Sequence, residues 1–443
     1  MGRMIRHLSS AQIIILGFAA VILFGTMLLM LPIATRDGQG AAFADALFTA
    51  TSAVCVTGLI VQDTAAYWTF FGQAIILALI QIGGMGVVTV AVAIFTASGK
   101  KISLKQRSTM QEAISAHKVG GIVKLTGFII KMTIIFELLG AVMMFPSFYK
   151  EFGMIRGIWY SIFHSISAFC NAGFDLMGSK EEYSSLTYFA ADPLINGAII
   201  ALIVIGGIGF LTWDDIKNHK YHFRKYRLQS KIILSATACL IAVPACYFYF
   251  FEFSGVPVGR RILVSVFQAV TPRTAGFNTA DLTGLSETGI AVMILLMLMG
   301  GAPGSTAGGM KITTAAVMVF TAVSVFRRRE HTHVFGRRID HETVRNAVSI
   351  FMMYLVLFLF GGFLISRFES LPLLICLFET ASAIATVGLT IGITPELGMI
   401  SHIILILLMF IGRVGGLTLI FAVLSGKKRG NTARLPQEKI TVG

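Results

Sequence analysis

Four glycines, Gly58, Gly173, Gly276 and Gly388, occupy matching places in four short segments that nearly repeat one another, at 46–59, 161–174, 265–277 and 376–389. The two residues before each glycine are Val56-Thr57, Asn171-Ala172, Thr274-Ala275 and Thr386-Val387, and none of them has an ionisable side chain. The chemistry open to such a set is cation coordination by backbone carbonyls, which replace a hydration shell without a full negative charge. Turning carbonyls toward one axis needs backbone conformations that glycine adopts most readily. One such glycine reads as an ordinary tight turn or helix contact. Four in register read as the corners of a ring.

A glycine-centred octamer follows each segment: IGGMGVVT at 82–89, IGGIGFLT at 205–212, MGGAPGST at 299–306 and IGRVGGLT at 411–418. Two octamers depart from the pattern. Arg413 stands where the others carry Gly84, Gly207 and Gly301. A charge at that depth costs several kcal/mol unless it is paired or faces water. It reads either as a fixed cation in the pathway or as a structural arginine bonded to a nearby carbonyl. The third octamer opens the run Gly300-Gly301-Ala302-Pro303-Gly304-Ser305-Thr306-Ala307-Gly308-Gly309-Met310-Lys311. Its five glycines and one proline disfavour helix by about 8 kcal/mol relative to alanine. A break of that kind inside a span is normally a cavity-lining loop. It does not fit a phosphate loop, because it lacks G-x-x-x-x-G-K-[ST] and no strand precedes it.

The elements that must hold these corners are apolar. The 443 residues are 55% hydrophobic and 13% charged, with a mean hydropathy of +0.79, about half the charge of a soluble domain. Apolar stretches long enough to cross about 30 Å of hydrocarbon recur throughout. The reading is an all-α, multi-pass membrane protein. It has four tandem membrane–pore-loop–membrane units, at 1–119, 120–230, 231–343 (with a broken second helix) and 344–443. Eight full spans and four re-entrant half-helices result. The first half-helix, residues 42–54, is too short to span. Non-helical backbone at membrane depth must be shielded by protein or line water, and four such loops meeting at one axis shield each other. Within the half-helices Thr49, His164, Gln268 and Glu379 form a matched polar position. Glu379 reads as support for the filter rather than as an ion ligand.

The net charge of +14 does not point to nucleic acid. Of 36 Lys and Arg, 24 lie in five segments at 3–6, 100–118, 217–231, 327–345 and 427–439. These alternate with the spans so that all fall on one side, which the positive-inside rule makes the cytoplasm, with both termini there. The five cysteines have no metal spacing, and a disulfide framework is not expected. An intramembrane enzyme is not expected either: there is no H-E-x-x-H, no paired intramembrane aspartate, and no plausible serine–lysine or serine–histidine dyad.

With its four segments, its octamers and Gly412-Arg413-Val414-Gly415, the chain resembles the superfamily of bacterial Trk and Ktr potassium transporters and plant HKT proteins. Within that superfamily it is most similar to the KtrB-type membrane subunits. The resemblance covers roughly residues 13–424. It implies channel-like potassium uptake across the cell membrane. The twelve residues at 56–58, 171–173, 274–276 and 386–388 would be the filter, residues 300–311 an intramembrane gate, and Arg413 a brake just below the filter. It further implies potassium as the only metal, sodium as a candidate activator, and a homodimer in lipid. The regulatory nucleotide would sit on a separate KtrA-like cytosolic ring and not on this chain. The third segment is one residue shorter between Phe267 and Gly276 and carries Pro272-Arg273, so the ring is not four-fold exact. A sodium- or proton-coupled secondary transporter remains the alternative, with Glu137 its only deep carboxylate.

Overall fold

The computed structural model describes residues 9–97, 103–114 and 120–416, together with 418, 419 and 422. The basic termini at 3–6 and 427–439 and part of the basic linker at 100–118 lie outside the described residues. The described part is helical apart from one two-stranded hairpin, His333–Val334 paired with Arg337–Arg338.

Among the described residues, four helices are each long and apolar enough to cross a bilayer: α1 (Ser10–Leu29), α6 (Ile122–Phe169), α9 (Leu228–Tyr247, continued by a π turn over Phe248–Glu252) and α13 (His341–Glu369). Each turns only about a third of its apolar window inward. Along α13, Met352, Val356, Phe360 and Phe363 are exposed at helical spacing, whereas Tyr354, Phe358 and Ile365 are buried. A face of large apolar side chains left outside a packed bundle suits hydrocarbon, where burial against protein offers no extra gain.

A short helix leads to each glycine segment: α2 (Phe43–Cys55), the end of α6, α10 (Val258–Val270) and α14 (Leu373–Ile384). The chain enters the last part of α6 through Gly153, whose φ of 75° and ψ of −175° break the helix. The first short helix begins and ends one residue later than the sequence suggests, a shift within ordinary boundary scatter.

The helices after the glycine segments are α3 (Phe70–Met85) with α4 (Val87–Ala97), α7 (Pro193–Gly207) with α8 (Phe210–His219), α11 (Glu287–Leu298) with α12 (Ile312–Phe326), and α15 (Met399–Val414). α5 (Leu104–Ala113) lies in the linker between α4 and α6. Here the structure departs from eight straight spans with a single break. α3 and α4 meet at 98°, and α7 and α8 at 95°. The joints are Gly86 (φ 86°, ψ 131°) and Gly209 (φ 89°, ψ 144°), and Gly415 ends α15 with nearly the same angles (φ 90°, ψ 137°). All three are the fifth octamer residue. Their φ lies in the region that favours glycine, so the octamer encodes a bend. The expected break in the third crossing is present, between Leu298 and Ile312.

Candidate ion pathway

The four short helices stop just before the glycine segments, so four helix C-termini, each carrying partial negative charge, converge there. The backbone is then held by a hydroxyl. Ser52 and Ser382 accept from the N–H of Gly58 and Gly388, each at 3.0 Å. Ser167 donates to the Phe174 carbonyl at 2.7 Å and Thr271 to that of Phe277 at 2.5 Å. These four residues share one place in the aligned segments, shifted by one in the shorter third. Sequence reasoning passed over them, although a hydroxyl at a fixed distance before each glycine was visible.

The residues two before the glycines are left-handed in every segment: Val56 at φ 57°, Asn171 at 58°, Thr274 at 70° and Thr386 at 51°. For the β-branched residues among them this is a true outlier. Such conformations persist only where the surroundings over-determine them. The glycines follow at φ 95°, 70°, 78° and 92°.

The structure brings all four glycines together in sequence order. A Cβ built on Gly58 would stand 2.5 Å from the Ala172 carbonyl oxygen, and one on Gly173 2.7 Å from that of Ala275. One on Gly276 would stand 2.3 Å from Val387, and one on Gly388 2.1 Å from Thr57. The ring therefore closes, with the carbonyl before each glycine facing the preceding corner. Val56, Thr57, Asn171, Ala172, Thr274, Ala275, Thr386 and Val387 are all buried, and the hydroxyls of Thr57 and Thr386 have no hydrogen-bond partner among the described residues. Oxygens crowded around one axis, with no cationic side chain in the ring, can replace a hydration shell.

In three of the four units the second octamer residue, a glycine, seats the short helix against the helix that follows, whereas Gly300 meets the backbone of its own loop. A Cβ at Gly83 would lie 2.0 Å from the Val54 carbonyl oxygen, at Gly206 2.1 Å from that of Phe169, and at Gly412 2.1 Å from that of Ile384. Three of the four matched polar positions brace the returning chain. His164 accepts the Leu176 N–H at 3.3 Å, and Gln268 donates to Asn278 at 2.9 Å. Glu379 accepts from Thr390, from the Ile391 N–H at 3.3 Å and from Thr394 at 2.9 Å. The Thr49 hydroxyl has no partner.

Directly below lies the loop at 300–311. Its backbone is bonded to two neighbouring crossings. Ala302 donates to Gly207 at 2.9 Å and Thr306 to Gly206 at 3.3 Å, Phe210 donates to Gly304 at 2.7 Å, and Gly309 donates to Gly412 at 3.1 Å. The Thr306 hydroxyl donates to the Phe169 carbonyl at 3.0 Å and reaches Asn171 Oδ1 at 3.3 Å. Asn171 in turn donates to Thr274 at 3.3 Å, so one side chain links two corners of the ring to the loop. Inside the loop, Gly300 donates to Met310 at 2.9 Å, Ser305 to Ala302 at 2.6 Å and Lys311 to Ala307 at 2.8 Å. Pro303 and Gly304 stand by Gly209, and a Cβ on Gly308 would meet the Thr386 hydroxyl at 2.1 Å.

Arg413 fastens this layer. Its guanidinium donates to the carbonyls of Thr306, Gly83 and Gly84, the last at 3.1 Å. It thereby ties α15 and the loop to the end of α3. Arg413 is thus held by carbonyls, the arrangement described by the structural reading of its sequence position. Arg273 is not in the loop layer. Buried, it donates to Thr237 at 3.1 Å. Glu137 is bonded to Gln81 at 2.9 Å, and Lys131 forms no ion pair with it among the described residues.

Cavities lie on both sides of the ring. One, of about 320 Å³, is lined by all four ring glycines and by Asp175, Asp281 and Glu396. The other, on the side of the loop and of about 240 Å³, is lined by Ser305, Ala307, Lys311, Arg413 and Glu112. Gly304 also touches the residue that caps the linker helix: a Cβ there would lie 2.4 Å from the Ile114 carbonyl oxygen.

Comparison with known proteins places the chain in a family. Residues 5–429 match the family described as "TrkH: Cation transport protein". The chain is 39% identical to the potassium/sodium uptake protein NtpJ of Enterococcus hirae, over 100% of this chain and 99% of that one. It is 38% identical to the Ktr system potassium uptake protein B of Bacillus subtilis, over 98% and 96%. The crystal structure of the potassium transporter TrkH from Vibrio parahaemolyticus has the same fold, with a TM-score of 0.72 over 92% of this chain and 84% of that one, at 20% identity. The chain is a membrane protein and belongs to the TrkH family of cation transport proteins.

Proposed function

We propose that this chain is the ion-conducting subunit of a Ktr-like potassium uptake system, with channel-like flow through one pore per chain. The observation that carries the reading is the closed ring of Gly58, Gly173, Gly276 and Gly388, with a carbonyl oxygen at each contact and a cavity above it. Potassium is the cargo. It meets the carboxylates of the outer mouth, loses water to the carbonyls of the ring, and is stopped below by the loop at 300–311 and by Arg413. The four units of the sequence reading are then four quarters of one pore, and the basic face is the cytoplasmic one, with both termini on it.

A separate nucleotide-binding subunit on that face controls the loop. Support comes from two contacts. α12 continues the loop directly into the basic segment at 327–338, and Ile114 of the linker touches Gly304. The Bacillus subtilis relative is a "B" protein of a Ktr system, which agrees with a multi-subunit machine. We assign the functional unit as a homodimer.

Rubidium and sodium flux into proteoliposomes containing the purified chain alone tests the reading. Rubidium uptake that reverses with the potassium gradient, at zero sodium and zero pH gradient, is expected. Uptake that runs only with a sodium or proton gradient would replace it with the coupled transporter.

A further inference from the structure

We infer that a cavity of about 650 Å³ on the basic face, between the start of α6 and the α8–α9 corner, binds a phosphate-bearing anion: the headgroup of an anionic phospholipid, or free phosphate. Its wall includes Lys124, Lys217, Arg227, Asp214 and Phe128. Arg227 is already answered. It donates to Asp214 at 3.2 Å and lies 3.4 Å from Asp215. Asp214 is used up as well, since it also accepts from Asn218 at 3.0 Å.

Lys124 and Lys217 differ from Arg227. Neither has a carboxylate partner among the described residues. Both are solvent-exposed, and Lys217 Nζ stands 4.4 Å over the Phe128 ring. The fold thus gathers two ammonium groups from distant parts of the chain into one cavity, whose lining carboxylate, Asp214, is already bonded to Arg227 and Asn218. A phosphate accepts from both through short charge-assisted hydrogen bonds. The same wall contains Gly121, where α6 starts at φ 79° without a side-chain cap. The open N–H groups of that first turn add the positive end of the helix dipole.

The apolar part of the surroundings matches the lipid source. Farther along α6, Ile134, Leu138 and Val142 are exposed in one helical stripe. That gives acyl chains a surface beside a headgroup held at the lysines, as in basic pockets between membrane helices. A headgroup there would staple the start of α6 to α8.

The test uses the full chain in nanodiscs, with melting temperature and retained lipid by native mass spectrometry as readouts. Phosphatidylglycerol in phosphatidylcholine should raise the melting temperature over phosphatidylcholine alone. K124Q/K217Q should remove most of that rise and weaken retention of one phosphatidylglycerol per chain by at least about tenfold. K225Q, which removes an exposed lysine outside the cavity, should keep the wild-type response, and the single lysine variants serve if the double variant does not fold. In a second arm, inorganic phosphate is added to phosphatidylcholine discs. Stabilisation by phosphate that the double variant loses assigns the site to the free ion. A wild-type response to both ligands in the double variant, or an equal loss in K225Q, overturns the site.

Discussion

The cavity lined by the four ring glycines and the cavity lined by the loop at 300–311 carry opposite charges. Above the ring the lining charges are Asp175, Asp281 and Glu396; below it they are Lys311 and Arg413, with Glu112 at the edge. The upper layer repeats itself corner by corner, down to a left-handed residue two positions before each glycine and a hydroxyl behind it. The lower layer shares only the octamer and then breaks it twice, at Arg413 and at residues 300–311. Coordination of a spherical ion calls for equivalent oxygens around an axis. Obstruction calls for one element that differs from the rest and can move without disturbing them. On the function proposed above, the repeats would supply the binding chemistry and the departures from them the control.

The largest effect should come from removing the odd element. Deleting Ser305–Gly308 discards the Thr306 bonds to Gly206 and Phe169 and the anchor of Arg413. Three hydrogen bonds at about 1 kcal/mol each would shift the closed state by roughly a hundredfold. Rubidium flux through the deletion variant should be high and independent of any regulatory subunit. Flux that still requires the subunit would move the gate elsewhere.

Arg413 separates charge from latch. A fixed cation at about 6 Å and an effective dielectric of about 20 opposes a passing ion by nearly 3 kcal/mol. Bonded carbonyls offset part of that, so Arg413→Ala should raise flux by about tenfold. Arg413→Lys keeps the charge but loses the planar fork that reaches Thr306, Gly83 and Gly84 together. Low flux in the Lys variant makes the charge decisive, and Ala-like flux makes the latch decisive.

Asn171 joins the two layers. Asn171→Ala removes its contacts to Thr274 and Thr306, worth about 1 kcal/mol together. A few-fold rise in subunit-independent flux, with ion preference little changed, is expected. A large loss of preference with no flux change would place Asn171 in the ring alone. The smallest effect belongs to Ser382→Ala, which strips the acceptor from the Gly388 N–H. Apparent rubidium affinity should fall by about twofold and recover in Ser382→Thr.

Much of the upper layer was legible because it is written four times. The glycines, the matched position of Glu379 and the interruption between α11 and α12 all follow from aligning the chain with itself. The bends at Gly86 and Gly209 were not read, because apolar residues continue through them and hydropathy carries no angle. The left-handed Val56 runs against its own preference and is imposed by packing. The partners of Arg413 lie on α3 and in the loop, far away in sequence, so only the folded chain could choose among the carbonyls within reach.

The ring itself is tested most directly by potassium–sodium reversal potentials of the wild type and of four single variants, Gly58→Ser, Gly173→Ser, Gly276→Ser and Gly388→Ser. Each added Cβ would meet a neighbouring carbonyl oxygen at 2.1 to 2.7 Å in a left-handed backbone that costs a non-glycine residue about 1–2 kcal/mol. Potassium preference should therefore fall by about tenfold or more in each variant, with the reversal potential moving toward that of an unselective pore. Four well-folded variants with the wild-type reversal potential would show that these glycines do not form the filter.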